Sequence, residues 1–265
     1  MIEFSGVSRY YGDRLAVDNL DLTVPAGELF AFLGPNGAGK TTSIKMVVGL
    51  LRPSAGSVRV CGFDVAVDPR QAKQRISYVP DEPYLYDKLT GREFLRFIAD
   101  MYGLAATSSV AELEAQIDRF ELGDFVDELT ENYSHGMKQR LVFASAMLHH
   151  PEVLVVDEPM VGLDPKSIRL VKDLLREKAA AGVTVFMSTH TLAVAEEIGD
   201  RIGIIDHGRL NFVGTLNELK HKMEQHESTL EQLFLELTAA NGDEEGRGAR
   251  DAGDRIRPAG DGRQA

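Results

Sequence analysis

The stretch GPNGAGKTT, residues 34–42, constrains this chain more than any other part of it. It satisfies the pattern G-x-x-x-x-G-K-[ST] from Gly34 to Thr41. An apolar, strand-like LFAFL precedes it and a helix-like TTSIKMVVGLL, residues 41–51, follows. Glycines in such a turn let backbone N–H groups point inward around phosphate oxygens. The helix N-terminus adds the positive end of its dipole. Lys40 can then reach β- and γ-phosphates, and the Thr41 hydroxyl can ligate Mg²⁺. The G-x-G-x-x-G spacing of a dinucleotide site is absent. A strand, a phosphate loop and a helix in that order leave GTPases, kinases and ATPases open.

VLVVDEP at 153–159 narrows the choice. Asp157, at the end of an apolar strand, fits the Mg²⁺ role of such sites, and Glu158 can polarise an attacking water as general base. A carboxylate beside the metal acid favours water as phosphate acceptor over a bound second substrate. Further apolar runs at 183–188 (VTVFMS) and 202–205 (IGII) alternate with a helical stretch at 166–181. Short apolar runs separated by helices predict a parallel sheet buried on both faces. The N-terminal part differs, with strand candidates at 2–7, 21–24 and 29–33, SVRVCGFDV read as one further strand, and ISYVP after it. From about 90 to 150 the pattern is helical, opened by the capping box TGRE at 90–93. The fold class expected is α/β: a P-loop NTPase core with a mostly parallel sheet, an N-terminal antiparallel β portion and an inserted α-helical subdomain at about 82–150. A second capping box, TLNE at 215–218, starts a helical segment expected to reach 238. Residues 239–265, rich in glycine and charge, read as a disordered tail, so the ATPase domain is expected to span 1–238.

The chain has 265 residues, 43% of them hydrophobic, which suits one large domain or two small ones. Its formal net charge of -12 argues against nucleic acid as a partner. The single cysteine, Cys61, excludes an internal disulfide and reads as an apolar filler in a strand. No apolar run approaches the roughly 20 residues of a membrane-spanning helix, and no leader pattern is visible. A cytoplasmic location is expected, with any membrane contact made through a partner.

YSHGMKQR at 133–140 places Ser134 beside His135. Adjacent residues on a helix do not face each other, so a nucleophile–base dyad fails on geometry. Ser134 instead suits the N-cap of a helix over about 137–148. With this stretch the chain resembles the ATP-binding subunits of ABC transporters over about residues 2–215. The phosphate loop, YVPDEP at the glutamine-loop slot, YSHGM at the signature, VLVVDEP, GLDP at 162–165 and STH at 188–190 stand in the family's order. YYG at 10–12 is similar to its adenine-stacking loop.

The resemblance implies that Tyr11 stacks on adenine, that Gly34, Pro35, Asn36, Gly37, Ala38, Gly39, Lys40, Thr41 and Thr42 wrap the phosphates, and that His190 contacts the γ-phosphate. It implies that Ser134, Gly136 and Asp164 act at a head-to-tail dimer of two ATP-binding subunits, of the same or a related chain. Two slots depart from the pattern. Asp81 replaces the glutamine and reads either as an oxygen ligand for Mg²⁺ or as a turn acid. His135 and Met137 replace glycine and glutamine in the signature. The family also implies ATP and Mg²⁺ as cofactors and a separate transmembrane permease, of exporter type by the style of the insert. Tyr84, Tyr86 and Phe94 are expected either to form a groove for a permease helix or to pack the insert's own core. The competing function is a soluble ATPase of the same family acting on nucleic acid or ribosomes.

Overall fold

A computed structural model of the protein describes residues 1–104 and 106–226. Ten strands and eight α-helices follow in the order β1 (Ile2–Tyr11), β2 (Arg14–Val24), β3 (Leu29–Leu33), α1 (Lys40–Val47), β4 (Ala55–Val60), β5 (Phe63–Asp64), α2 (Pro69–Lys73), β6 (Ile76–Val79), α3 (Gly91–Met101), α4 (Ala106–Arg119), α5 (His135–Met147), β7 (Val153–Val156), α6 (Pro165–Ala180), β8 (Thr184–Thr189), α7 (Leu192–Ile198), β9 (Arg201–Asp206), β10 (Arg209–Gly214) and α8 (Leu216–His226). They form two sheets. One is antiparallel, in the order β2-β1-β4-β5. The other runs β10-β9-β3-β8-β7-β6, parallel throughout except for the edge strand β10.

The period-2 alternation of β-strands divides the core. Leu29, Ala31 and Leu33 of β3 face one apolar cluster, shared with the helices between β6 and β7. Phe30 and Phe32 face a second cluster, where the two sheets and α1 meet. Phe186 of β8 stacks on Phe30 at 5.7 Å between ring centroids. Val153 and Val155 join that second cluster, while Leu154 and Val156 join the first. Both faces of the parallel sheet are thus covered, so its strands carry no polar side for solvent.

Both capping boxes form. Thr90 and Glu93 exchange side-chain bonds with each other's backbone N–H at the start of α3, and Thr215 and Glu218 do the same before α8. The helix after the phosphate loop is shorter than its apolar run suggested and ends at Val47. Gly49, in the left-handed region (φ 69°), closes it with Gly49 N–H to Met46 O and Leu50 N–H to Lys45 O. The segment SVRVCGFDV, expected as one strand, is a hairpin: Cys61 and Gly62 both have positive φ and link β4 to β5. Cys61 therefore sits in a two-residue turn and not within a strand. His207 and Gly208 make the same kind of turn into β10, an element whose signal lacked the usual Asn-Gly or Asp-Gly. Helix α8 is described to His226; the rest of the expected C-terminal helix and the tail lie outside the described residues.

His149, at the end of α5, ties the helical insert to β6. Its ring stacks on Tyr102 at 3.6 Å, its Nε2 lies 3.2 Å from Ile76 O, and its Nδ1 is buried without a partner. Burial, helped by neighbouring His150, lowers its pKa from 6.5 to about 4, against the opposing effect of the Ile76 bond. Between those values the unfolded chain takes up a proton that the folded chain refuses, so stability falls as pH drops through that window. The loss expected is on the order of 1–2 kcal/mol once solvent access is allowed for. Melting temperatures measured from pH 7 to pH 4 check it, and His149→Phe should flatten that limb of the curve.

Candidate nucleotide site

The phosphate loop hangs from the C-terminal end of β3, one of the two innermost strands of its sheet. Gly34 N–H donates to Thr189 O at 3.2 Å, which ties the loop to β8. A Cβ at Gly34 would come within 2.3 Å of Ile205 O, and one at Gly39 within 2.7 Å of Ala16 O. Gly37 and Gly39 also hold φ of 84° and 109°. Glycine at 34 is thus set by close approach of backbone, at 37 by conformation and at 39 by both. α1 starts from Gly39 without any side-chain cap, which leaves its first N–H groups free to meet an anion.

Lys40 is 6% exposed and its ammonium is fully engaged inside the loop. Nζ donates to Gly34 O at 2.7 Å and Pro35 O at 3.2 Å and pairs with Glu158 Oε1 at 3.3 Å. The other Glu158 oxygen, Oε2, lies 2.9 Å from His190 Nδ1 and accepts the His190 backbone N–H at 3.3 Å. Lys40, Glu158 and His190 therefore form one continuous polar chain across the mouth of the loop, although they come from three separate segments.

A cavity of about 340 Å³ opens beside them. Of the residues singled out in the sequence, Tyr11, Asn36, Gly37, Gly39, Lys40, Thr41, Thr42, Asp81 and Glu158 line it. Gly34, Pro35 and Ala38 stand behind its wall, two of them as carbonyl partners of Lys40. Asp157 is 1% exposed and sits behind Glu158, where Ser188 Oγ donates to its Oδ1 at 2.5 Å. Asp81 is pushed above the usual carboxylate range, first by burial and then by the charges of Asp157 and Glu158. The Arg9 guanidinium lies 4.9 Å from the centroid of the exposed Tyr11 ring and also donates to Arg52 O.

Ser134, Gly136 and Asp164 are not part of the cavity wall. Ser134 N-caps α5, accepting the Met137 N–H at 3.3 Å from an exposed position. Asp164 N-caps α6, accepting from the Lys166 and Ser167 backbones and from the Ser167 hydroxyl. Those bonds, the Ser167 hydroxyl first, hold the Asp164 carboxyl below its usual range. His135 leans on the GLDP loop, with ring atoms 3.2 and 3.3 Å from where a Gly162 Cβ would be. Phe94, for which the sequence leaves open both a groove with Tyr84 and Tyr86 and the insert's core, is 5% exposed and belongs to the core. Tyr84 and Tyr86 remain on the surface and are joined there by Phe97.

Three contributors escaped the sequence reading. Arg14 and Ala16, at the start of β2, also line the cavity. Ser188 bridges the two acids that end β7. It lay in plain view in the STH stretch, but its partners become neighbours only through strand pairing.

The family model for ABC transporters matches residues 17–161. The chain belongs to the ABC transporter family. It is 42% identical over 222 residues to the daunorubicin/doxorubicin resistance ATP-binding protein DrrA of Streptomyces peucetius, covering 84% of this chain and 67% of that one. It is 40% identical over 208 residues to the Nod factor export ATP-binding protein I of Burkholderia lata, covering 78% and 68%. A solved ATP-binding subunit of an ABC transporter superposes with a TM-score of 0.83 at 32% identity, over 89% of this chain and 99% of that one.

The loop glycines separate two costs. Gly37→Ala adds a Cβ with nothing within 4 Å but in a left-handed conformation, so about 1 kcal/mol is expected. Gly34→Ala drives a Cβ into a carbonyl and should cost about 2–4 kcal/mol or displace the loop. Urea unfolding of both variants beside the parent chain measures the difference.

Proposed function

We propose that this ABC-family chain is the ATP-hydrolysing subunit that powers export through a separate membrane permease. The observation that carries the reading is the contact chain from Lys40 through Glu158 to His190 at the mouth of a phosphate loop. Lys40 now neutralises Glu158. A triphosphate entering the loop offers the ammonium stronger partners, drawing it away and freeing a carboxylate that can take a proton from water. The contacts of His190 with Glu158 support a role in holding that carboxylate's orientation and meeting the γ-phosphate. Tyr11, at the far rim of the cavity, takes the adenine ring.

The donor set fits Mg²⁺. The Thr41 hydroxyl and the Asp157 and Asp81 carboxylates are hard oxygen donors. Asp81, Asp157 and Glu158 crowd negative charge together, which a divalent cation offsets. No cage of three acidic, His or Cys ligands exists among the described residues, so phosphate oxygens and water would complete the coordination. Thr41, Asp157 and Asp81 would hold the ion, which would supply charge neutralisation for a bound phosphate.

Ser134 and Gly136 lie at an exposed helix start outside the cavity, which supports a role at the nucleotide of a second subunit. Two chains would then form two composite sites, with Asp164 at the same seam. Among the described residues no helix is long and apolar enough to cross a membrane, which supports a separate permease. Tyr84, Tyr86 and Phe97 suit its docking: Tyr84 is 80% exposed and Tyr86 meets Phe97 edge to face at 5.4 Å. The printed names of the Streptomyces and Burkholderia relatives, drug resistance and Nod factor export, support the outward direction. That arrangement places the chain, residues 1–238 acting as one domain, on the inner face of the membrane.

Mixing two dead chains tests the composite site. Glu158→Gln alone and Ser134→Arg alone should each lose hydrolysis by a factor of about 100 or more. Mixed, they restore one intact site in each heterodimer, so activity should return to a fraction of the parent level. No recovery on mixing, or full activity of a strictly monomeric form by light scattering, overturns the trans arrangement. For docking, Tyr84→Ala with Phe97→Ala should reduce the membrane protein recovered with the tagged chain several-fold.

A further inference from the structure

We infer that Ser188 is a positioning residue for hydrolysis, a single hydroxyl that sets both acids at the end of β7. The inference rests on the reading of Asp157 and Glu158 given above. Strand pairing places it there. β7 and β8 run parallel with Val156 opposite Met187, and β8 pairs on its other side with β3, Phe32 opposite Ser188. Val153 and Val155 turn toward the cluster that holds α1, as Phe186 does, so the period of two carries Asp157 and Ser188 to that same face. Ser188 is 0% exposed, and its hydroxyl bonds to the two residues that follow β7.

Ser188 makes two bonds of opposite polarity. Its hydroxyl donates to Asp157 Oδ1. The hydroxyl oxygen then uses a lone pair to accept the Glu158 backbone N–H at 3.0 Å. That N–H belongs to a residue in the left-handed region, φ 47°, a conformation that a non-glycine residue keeps only when its surroundings hold it. The kink at Glu158 aims its side chain at both Lys40 and His190. Ser188 thus orients Asp157 through its carboxylate and Glu158 through its backbone, and is not itself part of the cavity wall. Because β8 ends at Thr189 and His190 follows directly, one short segment supplies both this bridge and the outer partner of Glu158.

A comparison of the full-length variants Ser188→Ala, Ser188→Thr, Ser188→Val and Glu158→Gln tests the inference. Thr and Val share a shape, so their difference isolates the hydroxyl from packing. Hydrolysis is scored as kcat per nucleotide-binding site, with KM for ATP at saturating Mg²⁺ and binding measured by a fluorescent ATP analogue. Ser188→Ala and Ser188→Val should lose about ten- to a hundredfold in kcat with KM moved less than about threefold, while Ser188→Thr keeps most of the activity. A structural role alone would lower melting temperature and active-site count for Thr and Val alike, without splitting their kcat values. Equal kcat for Thr and Val, or parent-level kcat for Ser188→Ala beside an inactive Glu158→Gln, overturns this inference alone. Full hydrolysis by Glu158→Gln overturns the assignment of Glu158 and this inference with it.

Discussion

The parallel pairing of β3, β8 and β7 is the constraint on which the rest of this molecule depends. It brings three chain segments to one edge: the phosphate loop after β3, the acids after β7 and the histidine after β8. A ligand site at the C-terminal ends of parallel strands is the expected position in an open α/β sheet. Here the backbone itself enforces it, since Gly34 N–H is bonded to the last residue of β8. Moving β8 by one residue would break that bond and turn Ser188 to the opposite face.

Around that edge charge is compensated locally. A buried ammonium is costly unless paired, and Lys40 has two carbonyls and a carboxylate. Glu158 is shared between that ammonium and His190, so it is held by both ends. Asp81 is pushed up by burial first and then by the charges of Asp157, Glu158 and Glu82, which His135 only partly offsets. The imbalance belongs to the side of the cavity where phosphates and a divalent ion would arrive. The glycines do complementary work by admitting backbone where a side chain would collide.

Much of this was legible in the residues. Local signals with a mechanism read correctly: both capping boxes, the Ser134 cap and the uninterrupted apolar strands. One reading failed and another stayed open where a short-range cue had two outcomes. VRVCGFD reads as continuous strand because Cys-Gly is an uncommon turn pair, yet both residues take positive φ. Phe94 and Phe97 share one helical stretch, but only the helix packing sends the first inward and leaves the second on the surface. Arg14 carries no motif; it reaches the cavity because the antiparallel sheet folds back over the loop.

By itself the sequence determined the chemistry available: a phosphate loop, paired acids, a histidine after a strand and a capped helix, each set by residue type and by spacing of a few positions. Those features depend on local backbone geometry, which neighbours in the chain dictate. The tertiary structure decided which of them meet. Lys40, Glu158 and His190 became one contact chain, Ser188 became its support, and Ser134 was left facing outward. Strand register and sheet order made those choices, and they are set by packing between segments far apart in the chain, where short-range patterns carry no information.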